Sequence, residues 1–221
     1  MKKFDTKRLV ITALFCALAY VCVFVFRIKV SFLTFDAKDA IIAVSSLLYG
    51  PITGVVVSAV VSVMEFLTVS DTGVYGLIMN ILSTVSFVLP ASLIYKFRKT
   101  TVGAVSGLAT GVFCMTAVML ASNLLITPYY MGVDVTVVKS MLIPLLLPFN
   151  FTKAVLNAAL TMLIYKPTVN ALRLAKLVES REGSHYKLNK TTVITIAISL
   201  IIIALAVIFL TLALGGVLEL V

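Results

Sequence analysis

Leu147-Pro148-Phe149-Asn150-Phe151-Thr152-Lys153 lies inside an apolar run, residues 142–165, that is long enough to cross a bilayer. An ammonium at the centre of such a run costs ~2.5–3.5 kcal/mol or more unless it faces a cavity or a partner. Asn150, Lys153 and Asn157 follow one another at i, i+3 and i+7, which puts all three on one helix face. That face turns inward, because amide and ammonium groups cannot be satisfied by lipid. The stretch therefore predicts a membrane helix with a polar inner side and a bundle around it.

The rest of the chain agrees. It has 221 residues, 61% of them hydrophobic, and a mean hydropathy of +1.15. A soluble domain is closer to half apolar. Upstream of the opening stretch, apolar runs predict spans at 9–26, 38–49, 52–69, 74–95 and 102–126, the second of them short. Gly50-Pro51 separates the second from the third, Pro90 lies within the fourth, and Thr127-Pro128-Tyr129-Tyr130 ends the fifth. Residues 27–35 predict an outer loop in which Phe32, Leu33 and Phe35 alternate with Ser31 and Thr34, an apolar lid with backbone groups available to a ligand. Downstream, a basic amphipathic stretch to Lys176 and a polar linker at 179–190 precede an aliphatic run at 193–217, read as a seventh span. The fold class is an all-α integral membrane protein. Its three parts are a six-helix membrane domain (1–166), a basic cytoplasmic stretch with its linker (167–191) and an extra C-terminal transmembrane helix (192–221).

The net charge of +9 is an orientation signal rather than a nucleic-acid footprint. With the N-terminus inside, Lys2, Lys3, Lys7, Arg8, Lys96, Arg98, Lys99, Lys166, Arg173, Lys176, Arg181, Lys187 and Lys190 lie on the cytoplasmic side. Only Arg27, Lys29, Lys38 and Lys139 lie outside. Thirteen against four is a positive-inside bias, and it leaves the C-terminus outside the cell membrane. The first run is long for a signal peptide and lacks a small-residue cleavage pattern, so it reads as a retained helix.

Cys16, Cys22 and Cys114 lie in apolar runs without metal spacing, and the single histidine, His185, lies in the linker, so neither a disulfide framework nor a metal site is expected. No paired acidic motif, phosphate loop or nucleophile–base pair is present, and an enzyme is not expected. Asn80 and Asn123 fall at about the depth of Asn150 and Lys153. Together these residues form a ring of amides with one cation, suited to a neutral polyhydroxylated or heteroaromatic ligand. The same groups could instead only tie helices together. Glu65 is a candidate counter-charge for Lys153, while Asp36 and Asp39 suit the cap and first turn of the second span. Small residues at four-residue spacing, Gly54/Ser58/Ser62 and Gly103/Gly107/Gly111, mark helix contacts, and Ala13/Ala17 mark either packing or a docking face.

Several segments resemble the S components of the energy-coupling factor (ECF) vitamin transporters, riboflavin-specific type. They are Ala13-Leu14-Phe15-Cys16-Ala17, Leu33-Thr34-Phe35-Asp36 with Asp39, Tyr49-Gly50-Pro51 with Gly54, Thr72-Gly73-Val74-Tyr75-Gly76 with Met79-Asn80, Pro90-Ala91 with Tyr95-Lys96, Asn123 with Pro128-Tyr129, and Pro148-Phe149-Asn150 with Lys153. The resemblance implies a six-helix bundle that binds riboflavin near the outer surface as a transported ligand, without a cofactor. It implies contacts from Thr34, Asn80, Asn123, Asn150 and Lys153. It also implies a docking face at Ala13 and Ala17 for a transmembrane coupling subunit (EcfT) with two cytoplasmic ATPases, and toppling in the membrane to release the vitamin. One departure is Asp36-Ala37-Lys38-Asp39-Ala40-Ile41, where the family run is Asp-Phe-Ser-Asp-Ile-Pro; the other is the linker and seventh span.

Overall fold

The computed structural model describes residues 6–175, 190–214 and 218–219. The elements run α1 (Thr6–Val25), β1 (Arg27–Val30), β2 (Leu33–Asp36), α2 (Lys38–Tyr49), α3 (Pro51–Thr68), α4 (Gly73–Phe97), α5 (Thr101–Met131) and α6 (Val135–Met141). A π-helical turn (Leu142–Leu146) then leads into α7 (Leu147–Leu174), followed by α8 (Lys190–Leu214) and β3 (Leu218–Glu219). Apart from Lys190, the linker expected at 179–190 lies outside the described residues.

Among the described residues, α1, α3, α4, α5 and the continuous helical stretch 135–174 are long and apolar enough to cross a membrane, whereas the apolar part of α8, Val193–Phe209, is shorter. The twelve residues of α2 rise only about 18 Å, so it covers part of the hydrocarbon core. Nine of those twelve residues are buried, and α2 packs on α1, α3, α4 and α7 as the central element.

Large apolar side chains cover the outside, and several small polar ones are buried beside the apolar core. Leu67, Phe97, Phe113 and Leu125 are exposed, while Ser45, Ser58, Ser62, Thr84 and Thr161 are buried. Lipid gives apolar side chains no reason to hide, so close packing and internal hydrogen bonds hold such a bundle. Phe15, Ile42, Val57, Val61, Phe87 and Met115 form its core. Helices α4 and α5 approach each other closely. A Cβ on Gly107 would stand 2.5 Å from the Ala91 carbonyl oxygen, and one on Gly111 would stand 2.5 Å from that of Phe87. Only glycine permits that contact.

Four boundaries differ from the sequence reading. The outer loop is a β-hairpin, with Arg27 opposite Asp36 and Val30 opposite Leu33 around a two-residue turn in which Ser31 adopts φ 54°. Its alternating polar and branched side chains suit a two-sided strand. Helix α5 continues through Pro128 to Met131, and α7 continues through Pro167 to Leu174. Finally, the sixth span begins as α6 and widens to a π turn that contains Pro144 and ends just before Pro148, in the first turn of α7. Neither proline can donate to the helix ladder, and each ring crowds the carbonyl four residues back, so a wider turn relieves both. The Leu147 amide accordingly donates to the Leu142 carbonyl, five residues back.

Candidate ligand-binding site

A cavity of about 300 Å³ opens at the hairpin end of the bundle. That is the low end of the range for small-molecule sites, roughly 300–1,000 Å³. The hairpin supplies Ser31, Phe32, Leu33, Thr34 and Asp36; α3 supplies Glu65; α4 supplies Tyr75, Met79 and Asn80; α5 supplies Asn123 and Tyr130; α7 supplies Phe149, Asn150 and Lys153. At the rim, Lys29 donates to Asp71 at 2.9 Å, and that hydrogen bond and charge hold the Asp71 carboxyl below the usual carboxylate range.

All five residues expected to bind ligand (Thr34, Asn80, Asn123, Asn150 and Lys153) line this cavity. Asn123 Nδ2 donates to the Met119 carbonyl at 2.7 Å, and Asn123 Oδ1 accepts from Thr127 at 2.9 Å. Asn150 Nδ2 donates to the Leu146 carbonyl at 2.7 Å, at the end of the π turn. These bonds fix both amides within their own helices. Asn157 does not line the cavity. It accepts from the Ala40 amide at 3.0 Å and donates to the Asp36 carbonyl at 3.2 Å, tying α7 to the start of α2.

The charges pair differently from the sequence reading. Lys153 Nζ donates to Asp36 Oδ2 at 3.0 Å and to the Thr34 carbonyl at 3.3 Å, so its counter-charge is Asp36 and not Glu65. Glu65 binds Lys38 instead, at 2.8 and 2.9 Å through its two oxygens. Lys38 also reaches Asp36 Oδ2 at 3.3 Å and Asn80 Oδ1 at 3.5 Å, and Asn80 Nδ2 donates to Glu65 at 3.2 Å. The cavity wall thus backs onto a chain of groups running Lys153–Asp36–Lys38–Glu65–Asn80. Its members come from α7, the hairpin, α2, α3 and α4. Each ion has an opposite neighbour, the condition under which buried charges are tolerable.

One expectation about the α2 terminus is corrected, and a buried cation is added to it. Lys38, counted among the outer charges, is 1% exposed. The cap position of α2 is Ala37, which makes no side-chain cap, and Asp36 faces the two lysines. Asp39 does sit in the first turn, but its carboxylate accepts from Thr84 at 2.6 Å. Sequence reasoning missed Lys38 and the role of Asp36. A signal was present: a lysine at a helix N-terminus opposes the helix dipole and needs carboxylates nearby. Among the described residues, Asp36 Oδ1 is buried without a hydrogen-bond partner. Amide donors and acceptors, an ammonium and apolar walls of Leu33, Met79 and Phe149 suit a polar heterocycle with hydroxyls; among the described residues no group of metal-binding side chains occurs.

Ala13 and Ala17 stand apart from this site, both exposed on the outward side of α1 beside Leu14 and Leu18.

This fold and cavity define a class. Residues 7–165 match the family model "ECF transporter, substrate-specific component", and the chain belongs to that family, a transporter's substrate-binding component. A solved S component of a bacterial ECF transporter superposes with a TM-score of 0.66 at 28% identity, covering 76% of this chain and 99% of its own. Two curated relatives are similar over nearly their whole lengths. Riboflavin transporter FmnP of Bacillus subtilis (strain 168) is 26% identical over 81% of this chain and 97% of its own. Riboflavin transporter RibU of Staphylococcus aureus (strain TCH60) is 28% identical over 76% and 94%.

Proposed function

We propose that this chain binds riboflavin from outside the cell and delivers it inward as the S subunit of an ECF importer. The observation that carries the reading is the buried Lys153, held by Asp36 and the Thr34 carbonyl, in a cavity shared with Asn80, Asn123 and Asn150. It occurs in a chain similar along its length to two riboflavin transporters. These five residues are the proposed ligand contacts. The riboflavin is cargo; the subunit carries out no chemistry and draws its energy from a coupling subunit (EcfT) with two cytoplasmic ATPases. Ala13 and Ala17 on the exposed side of α1 form the proposed docking face. The N-terminus lies inside and the hairpin end outside, consistent with the charge bias. Residues 1–166 make the binding unit, and the C-terminal helix is an addition to it.

The test is an absorbance spectrum of the full chain purified in mild detergent from riboflavin-fed cells. Flavin bands at near-stoichiometric yield, lost in Asn150→Ala, are the expected result. A colourless protein that also fails to quench added riboflavin fluorescence would overturn the ligand assignment and leave the family membership standing.

A further inference from the structure

Helix α8 lies beyond the residues that match the family model, yet it is built onto the binding unit at two places. Along its length it packs on α7, the helix that carries Asn150 and Lys153. Midway, Ile203 and Ala206 join one apolar cluster with Ile28, Leu33 and Phe35 of the hairpin and Phe149 of α7. Beyond α8, β3 pairs antiparallel with β1, Lys29 opposite Glu219 and Val30 opposite Leu218, giving a sheet of order β2-β1-β3. The hairpin alone would present β1 as an open edge, and β3 covers it. The same hairpin lines the cavity through Ser31, Phe32, Leu33, Thr34 and Asp36.

We propose that α8 and β3 form a strap that clamps the hairpin over the cavity, so that ligand exchange waits on release of the strap. A two-stranded hairpin is marginal by itself and opens readily. Edge pairing and the Ile203–Ala206 contact add ties that must break before it lifts. One anchor is the wall helix α7 and the other is the lid, so the strap fixes the lid relative to the residues that hold the ligand. The strap slows entry and exit alike and leaves affinity nearly unchanged. The proposal uses the riboflavin reading for one of its two readouts only.

The test uses the full chain with Cys16, Cys22 and Cys114 replaced by alanine and with Lys29→Cys and Glu219→Cys installed at the paired positions. Oxidation is expected to form the cross-link, and the oxidised protein is expected to take up and release riboflavin at least tenfold more slowly than the same protein after reduction. In the other direction, Ala206→Trp, which pushes α8 off the hairpin, is expected to speed both rates several-fold and to raise amide hydrogen exchange at Ile28–Val30. A cross-link that does not form, or one that forms without slowing exchange, would overturn the strap. So would unchanged hairpin amide exchange in Ala206→Trp. If riboflavin fails to bind the unaltered chain, the ligand assignment falls, and cross-linking and amide exchange still decide the strap.

Discussion

Lys153 on α7 and Asp36 at the end of the hairpin meet at 3.0 Å, and that contact joins the wall of the cavity to its lid. Both groups are buried, so neither can turn to water when the other is removed. Lys38 still faces Asp36 at 3.3 Å when Lys153 is removed, so the loss of stability is expected to stay below the ~3–5 kcal/mol of a fully orphaned buried charge. Lys153→Met also removes a proposed ligand contact in the cavity, and is expected to weaken riboflavin binding about 100-fold, read by fluorescence quenching. Asp36→Asn combined with Lys153→Met removes both charges, and is expected to restore thermal stability without restoring binding. Recovery of binding in the double variant would assign Lys153 a structural role alone.

Lys38 serves two carboxylates, Asp36 and Glu65. Its replacement by methionine leaves both less compensated, and a fall in stability of about 3 kcal/mol is expected in the ligand-free protein. Adding Glu65→Gln is expected to recover most of that loss. Thermal unfolding of both variants in one detergent measures the difference; additive losses would show that the two groups are not coupled.

The α4–α5 contact admits no side chain at Gly107 or Gly111. Gly111→Ala is expected to cost about 1–3 kcal/mol by overpacking. Because α4 carries Asn80 and α5 carries Asn123, riboflavin affinity is expected to fall with stability. An unchanged melting temperature would mean that the two helices can part without penalty.

Ala17→Trp places bulk on an exposed face away from the cavity. Riboflavin binding by the isolated subunit is expected to survive, while co-purification with the coupling subunit and uptake by cells are lost. Uptake at the normal rate would remove α1 from the docking face.

At the rim, the Asp71 carboxyl is held below its usual range by Lys29. A depressed carboxylate supports the contact above that range and gives it up as pH falls through the folded value. Riboflavin release is expected to quicken modestly on the acid side, since the pair is exposed. Asp71→Asn is expected to flatten this dependence, and an unaltered pH profile would exclude the pair as its source.

Much of the bundle was legible because hydrocarbon permits few backbone solutions: long apolar runs must be helices, and Gly50-Pro51 must break one. Asn150 and Lys153 stood out for the same reason, as polar groups where lipid tolerates none. The hairpin did not stand out, since four-residue strands carry little periodic signal and residues 27–35 read equally well as a loop. Charge pairing was less legible still. Glu65 and Lys153 share a depth, but depth says nothing about which helices are neighbours, and α2 inserts Lys38 beside Glu65. The π turn was hidden because two prolines four residues apart can equally kink or break a helix.

The hairpin is held unevenly. Its root is pinned at Asp36, which two lysines grip, whereas its tip, Ser31-Phe32, is a two-residue turn. A lid with a fixed root cannot lift away as a body; it can only pivot, swinging its tip through the widest arc. β3 pairs at Lys29 and Val30, next to that tip, where a small restraining force has the longest lever arm. Two short strand residues are thus enough to set the pace of a door whose hinge is electrostatic.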